Sequence, residues 1–505
     1  MQSAKPPDLS KLTLGAPAAE RDITQGLADY FVESEAFRRV TEGPKRIVLG
    51  NRGTGKSAIF KVLAERRRKA KSAVIELAPE DYSYEMLSTI LASESEGSWA
   101  KHGAYAVAWK YLIYVLVMKG VVGDATRIKK GAAGRVQRYL RDKHGSDQGS
   151  KLSMLVAYLK RMEGIKIGPV EASIKTRELD QMYKLDEITP LLGDLVEALR
   201  ARPVVVLVDE LDRGWDASED AKAFVAGLFQ ACAKLNELSP DLRVYMSLRQ
   251  ELYDSIPSLY EDAQKARDMI EVISWDEASL LRIVANRVRY SVPELGQLDD
   301  EACWSALFAE TLQYRGNKSF NYVIDRTLYR PREIIEFGTR AVEAAQDCGS
   351  TGFPIDYSII TRVEQAYSEA RIQDIAAEYR FQFPGLGSVF EAFRGRRYLI
   401  DRDALEELCV ALATGELVTD ELTKEWLDGA ESDLVVDTLW RVGFLRARAV
   451  GGVKARRRSG SSYLGSYQVG SLNLQSIAQF QVHPMFRAHL GMKEKTGAIS
   501  QTASE

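Results

Sequence analysis

The pattern Gly50-Asn-Arg-Gly-Thr-Gly-Lys-Ser57 is the strongest constraint in this chain. It satisfies GxxxxGK[ST], follows the apolar run RIVLG (residues 46–50) and opens a helical segment. Glycines at these spacings let consecutive backbone N–H groups converge into an anion nest, and the helix start adds the positive end of its dipole. Gly50, Asn51, Arg52, Gly53, Thr54, Gly55, Lys56, Ser57 and Ala58 are therefore read as a nucleotide-binding loop. In that reading Lys56 reaches the β- and γ-phosphates, and the Ser57 hydroxyl holds Mg²⁺.

Partner motifs follow in chain order. PVVVLVDE (203–210) reads as a buried parallel strand, with Asp209 orienting the water shell of Mg²⁺ and Glu210 as general base. The next acidic step, Asp212-Arg213, tunes the site or solvates a turn. LRVYMSLR (242–249) is a further strand that places Ser247 and Arg249 at its carboxyl end, beside the phosphate site of a parallel sheet. Arg332 in YRPREIIEF (329–337) sits at a helix start, from which a lid could fold it onto the phosphates.

With SAVIELAP (72–79) as another strand and helical segments between, the expected fold class is α/β: a parallel-sheet P-loop core with a helical insertion, a helical lid and a C-terminal winged helix. The expected divisions are a flexible lead-in over 1–20, a core over 21–270 with its insertion at about 95–200, a lid over 271–350, a helical linker and winged helix over 351–490, and a flexible tail over 491–505. The insertion is basic in part: residues 123–161 carry ten Lys/Arg against three Asp. GIKIGPVEASIK (164–175) alternates like a short hairpin. The apolar stretch from Ala104 to Val122 is interrupted by Lys110 and Lys119, so it is read as a buried or partner-facing helix and not a membrane span.

Composition narrows the function classes. The 505 residues are 28% charged and 45% hydrophobic, the profile of a soluble globular protein. A net charge of −3 means that any nucleic-acid surface is a local patch. Cys232, Cys303, Cys348 and Cys409 show no metal or disulfide spacing, and no secretory signal opens the chain, so the expected setting is the cytoplasm. Near the C-terminus, FLRARAVGGVKARRRSGSSYLGSYQV (444–469) reads as strand, tip and strand after short helices, the pattern of a winged helix. Its basic residues Arg446, Arg448, Lys454, Arg456, Arg457 and Arg458 are candidate DNA or RNA contacts. His483 is read as a structural hydrogen-bonding residue.

GNRGTGKSA, VVVLVDELD, MSLRQELYDSI, ISWDEASLLRIVANRV, RPREIIEF and QVHPMF, in that order, resemble a bacterial family of P-loop ATPases. That family is related to the origin-recognition and STAND-like branches of the AAA+ class, and several members lie in phage-defence or mobile-element neighbourhoods. The resemblance implies ATP as ligand, an ATPase core, lid and winged helix, Ser247 or Arg249 as the first sensor and Arg332 as the second. Arg249 stands where many AAA+ proteins place a small polar sensor. Arg213 and Arg267 are the candidates for an arginine finger.

Two functions are carried forward. One is an ATP-hydrolysing switch acting on nucleic acid, in defence against phage or mobile DNA. The other is a nucleotide-controlled, oligomerising scaffold for a protein effector, with the helix around residues 105–122 as its interaction surface.

Overall fold

Apolar β-branched runs at 47–49, 73–77, 204–208 and 242–248 build one parallel sheet in the computed structural model, which describes residues 12–78, 98–124, 126–144, 185–212, 215–257, 259, 266–310, 318–349, 352, 354–417, 420–448, 462–469 and 472–493. The strands are β1 (Ile47–Leu49), β2 (Ala73–Leu77), β3 (Val204–Val208), β4 (Leu242–Leu248) and β5 (Ile270–Val272), in the order β2-β3-β4-β1-β5. All four pairings are parallel. Burial of every residue of β1 and β3 explains why these strands are continuous apolar runs and not alternating ones. β5 has no counterpart in the sequence reading. It is three residues long, and its Val272 is 55% exposed, so IEV carries no clear strand period.

Helices α1 (Lys56–Lys69), α2 (Ser98–Val122), α3 (Gly131–His144), α4 (Leu192–Ala201) and α5 (Glu219–Leu235) accompany this sheet within residues 33–273. The apolar helix α2 is long and apolar enough to span a membrane, and 78% of its Tyr105–Val122 window is buried. Trp109 of α2 donates its indole N–H to the Phe224 carbonyl of α5, and both rings lie in one hydrophobic cluster with β3 and β4. Of the two readings, buried or partner-facing, the buried one holds for residues 105–122: their apolar side chains pack on α5 and the sheet. The reading of 164–175 as a hairpin falls outside the described residues.

Close packing of α2 on α5 depends on Gly227. A Cβ there would lie 2.6 Å from Tyr105 Cβ and 2.7 Å from the Ala106 backbone nitrogen. Gly227→Ala is expected to destabilise the fold by about 1–3 kcal/mol through overpacking, as read by urea unfolding. An unchanged midpoint would show that the two helices can separate freely.

Residues 1–32 and 274–505 form the second unit. It contains α6 (Glu277–Ser291), α7 (Pro331–Asp347), α8 (Tyr357–Glu378), α9 (Arg402–Ala413) and α10 (Ser432–Arg441). A small antiparallel sheet has the order β6 (Leu399–Asp401), β9 (Gln479–Val482), β7 (Leu445–Arg448) and β8 (Tyr463–Leu464).

The described part of the expected flexible lead-in is tightly held. Leu12 and Leu14 are buried at 4% and 2% exposure in the cluster that includes α6 and α7. Asp22 pairs with Arg287 of α6 at 2.7 Å and accepts from the Tyr30 hydroxyl at 2.7 Å. Residues 12–32 thus belong with the helical unit, not with a lead-in or the unit that holds the parallel sheet. The signal was weak because the apolar residues that dock are only two leucines in a Pro/Ala-rich stretch.

Candidate functional site

The carboxyl edge of the parallel sheet gathers the loop after β1 and the residues after β3 and β4. β4 lies between β1 and β3, so the two loops stand about 10 Å apart, two strand spacings. Pairing of Val208 with Met246 carries on to Asp209 and Ser247, and the Ser247 hydroxyl donates to Asp209 Oδ1. Ser247 is buried at 2% exposure.

The loop from Gly50 to Gly55 owes its shape to glycine at two kinds of position. Gly53 and Gly55 have φ of 82° and 95°, the left-handed region that disfavours side chains. At Gly50 a Cβ would come within 2.6 Å of Thr54 Oγ1. Thr54 Oγ1 donates to the Asn51 carbonyl at 2.9 Å, which ties the loop back on itself. Gly55 caps α1, so Lys56 and Ser57 occupy its first turn together with Ala58, all three half-buried.

Lys56 Nζ donates to the Gly50 carbonyl at 2.6 Å and the Asn51 carbonyl at 3.0 Å. Burial pushes the ammonium's pKa down to about 8, while Glu251 and Asp209 act in the opposite sense. Glu210 has φ of 59°, rare for a non-glycine residue, and its N–H donates to Asp209 Oδ1 at 2.9 Å. Arg249 forms an ion pair with Asp212 and lies 3.4 Å from Glu251. Glu251, buried at 6% exposure, is a site residue that the sequence reading did not name. It lies in the first turn of the short helix after β4, where an acidic residue ordinarily reads as a helix-start preference.

Lys56, Asp209, Glu210, Ser247 and Arg249 are thus brought to one edge, with Asp212 and Glu251 added. Arg52 and Asn51 line the loop and are half-buried. Arg332 lies in the second unit at the second residue of α7, half-buried. Its neighbour Arg330 is buried and pairs with Glu378 of α8 at 2.7 Å, a link between two helices. Of the arginine-finger candidates, Arg267 is exposed and Arg213 lies outside the described residues.

No group of three or more His, Cys, Asp or Glu among the described residues could hold a metal ion by itself. The donor set of Ser57 and Asp209 fits Mg²⁺ that shares its coordination with nucleotide phosphates, since that ion takes one or two protein oxygens and keeps water or phosphate for the rest.

The candidate nucleic-acid residues divide three ways. Lys454, Arg456, Arg457 and Arg458 lie outside the described residues. Arg448 is exposed at the end of β7. Arg446 is a correction: its exposure is 1%, because Leu445 to Ala447 are all buried and only the strand end at Arg448 reaches the surface. Its Nε donates to the Tyr467 hydroxyl at 3.0 Å, and its Nη2 donates to the Asp325 carbonyl at 3.0 Å. His483 Nδ1 accepts from the Met485 N–H, and its Nε2 lies 2.9 Å from both Arg446 and Tyr467. Arg446→Ala is expected to destabilise the second unit by about 3–5 kcal/mol, because the polar groups around the buried charge lose their partner. Thermal unfolding measures this, and an unchanged transition would return Arg446 to the candidate contacts.

A parallel α/β sheet, a glycine-rich loop that opens a helix with Lys-Ser, and an acidic residue at the end of the third strand define a P-loop-type core. Comparison with known proteins adds the following likenesses. A family described as the FunZ-associated C-terminal helical domain matches residues 278–376, the stretch from α6 to α8. The chain is 25% identical over 503 residues to a putative transposon gamma-delta 80.3 kDa protein of Escherichia coli (strain K12), covering 97% of this chain and 68% of that one. It is 28% identical over 123 residues to Allergen Alt a 2 of Alternaria alternata, covering 24% of this chain and 62% of that protein. Among solved structures, the Aeropyrum pernix ORC2 protein in its ADPNP-ADP complexes aligns over 97% of this chain and 95% of its own, with 11% identity and a TM-score of 0.35.

Proposed function

We propose that the chain is an ATP-binding and ATP-hydrolysing switch of the AAA+ type that acts on nucleic acid in the setting of mobile DNA. The observation that carries the ATPase reading is the gathering of Lys56, Asp209, Glu210, Ser247 and Arg249 at the carboxyl edge of one parallel sheet. Backbone N–H groups of residues 53–57 and the Lys56 ammonium would bind the polyphosphate. Ser57 and Asp209 would hold Mg²⁺, which would neutralise charge on the β- and γ-phosphates. Glu210 would accept a proton from the attacking water, and Ser247 would keep Asp209 oriented. Arg249, steadied by Asp212 and Glu251, would respond to the γ-phosphate; Arg332 would report it to the helical unit.

The nucleic-acid reading draws on the second unit. The succession β6, α9, α10, β7, β8, β9 supports reading this part as a winged helix, with Arg448, Lys454, Arg456, Arg457 and Arg458 as its nucleic-acid contacts. The transposon relative supports the setting of mobile DNA. The scaffold alternative loses its expected docking surface, since the side chains of residues 105–122 are largely buried.

Phosphate release from ATP by the full chain with Mg²⁺, with and without duplex DNA, tests this reading. The expected result is turnover that depends on Lys56 and changes when DNA is added. ATP turnover that is absent in wild-type protein under both conditions would overturn it.

A further inference from the structure

The helix α3 turns a built basic face away from the core. Its buried side, Ala132, Val136, Leu140 and His144, recurs every four residues, and Tyr111 of α2 bonds His144 at 3.2 Å. The opposite side, set by the helical period of 3.6 residues, carries Gly131, Gly134, Arg138, Arg141 and Asp142. No apolar side chain interrupts it.

Residues 124–143 hold seven Lys/Arg against two Asp, a local charge of +5 in a chain whose net charge is −3. Some of that charge is spent: Arg135 forms a bidentate pair with Asp194, and Lys143 lies 3.5 Å from Glu187. Lys130 and Arg138 are exposed and pair with no carboxylate among the described residues. Arg141 meets only its exposed neighbour Asp142, at 3.4 Å.

The loop before α3 is also fixed in place. Gln137 accepts from the Lys129 N–H at 2.8 Å and donates to the Arg127 carbonyl at 2.8 Å, which clamps 127–129 over the first turns of the helix. Asp124 closes a turn onto the Thr126 N–H at 3.0 Å. A Cβ at Gly131 would meet nothing within 4 Å, so the backbone there is open to a close approach. From Arg138 to Arg141 the face runs about 4.5 Å along the helix axis, a little more than one 3.4 Å phosphate step of a DNA strand.

We infer that the face formed by Lys130, Arg138 and Arg141, with the clamped loop 127–129, binds the sugar-phosphate backbone of duplex DNA. Contacts of this kind position a duplex without reading its sequence. The inference rests on the nucleic-acid reading above but uses a different surface from the wing.

Fluorescence anisotropy of a random-sequence duplex with the full chain, at several salt concentrations, tests it. The triple variant Lys130→Ala/Arg138→Ala/Arg141→Ala is expected to lose about 10- to 100-fold in affinity, and its salt dependence flattens by about 0.9 in log–log slope for each contact removed. The charge-conserving triple Lys130→Arg/Arg138→Lys/Arg141→Lys is expected to stay within about threefold of wild type, as phosphate contacts require charge and not a particular base edge. Wild-type affinity and slope in the alanine variant would overturn the inference, as would equal weakening by both triples or binding of RNA alone. Arg456→Ala/Arg457→Ala/Arg458→Ala in parallel reports the wing separately, and DNA-independent ATP turnover reports the ATPase reading separately.

Discussion

Lys56→Ala protein is expected to bind ATP at least about 100-fold more weakly than wild type, a loss of about 3 kcal/mol. The ammonium donates to the Gly50 and Asn51 carbonyls at 2.6 and 3.0 Å, inside the loop that would take the phosphates. Those neutral carbonyls are weak partners beside a polyphosphate, so the same donor gains when phosphate oxygens take their place. The second half of the effect is electrostatic. Glu251 and Asp209 act on Lys56, and their negative charge remains when it is removed. An incoming polyphosphate would then meet carboxylates without the cation that offsets them. Titration with a non-hydrolysable ATP analogue measures the loss, and circular dichroism checks that the fold persists. Binding and turnover at wild-type levels in the alanine variant would remove the loop from the active centre.

The legibility of this chain followed the range of its interactions. The loop 50–57, Asp209-Glu210 and Ser247 could be read because a phosphate nest, a strand end and a helix start impose local residue choices. Each lies beside an apolar run that only a buried parallel strand requires, and β1, β3 and β4 have that character. What escaped was set by distant partners. Glu251 matters because β4 lies beside β1, and strand order is invisible in a run of sequence. Arg446 looked like one more cation on a basic hairpin, yet the distant partners Tyr467, Asp325 and His483 draw it inside. Residues 12–20 looked loosely ordered, and 21–32 looked like part of the core, because the anchor of this stretch, Arg287, comes more than 250 positions later. The apolar helix α2 was recognised as buried or partner-facing; only the presence of Gly227 and Phe224 on α5 decides between the two.

Glu210→Gln protein is expected to bind ATP within about threefold of wild type and to hydrolyse it about 10²- to 10⁴-fold more slowly, the usual contribution of a positioned general base. The backbone at Glu210 supports this separation of binding from chemistry. Its φ of 59° puts a non-glycine residue in the left-handed region, where the strain is of order 1–2 kcal/mol. The N–H of the same residue donates to Asp209 Oδ1, so the turn is tied to the carboxylate that would share Mg²⁺. Glutamine preserves the volume, the turn and that bond, but its amide cannot take a proton from water. Glycine suits φ of 59° better than either, so Glu210→Gly should match or exceed wild type in thermal stability while losing hydrolysis to the same degree. Single-turnover measurements separate the chemical step from binding and product release. A Glu210→Gln variant that turns over within a factor of about three would assign the base to another group at this edge. A stable, fully active Glu210→Gly variant would mean that the strained turn serves the fold alone.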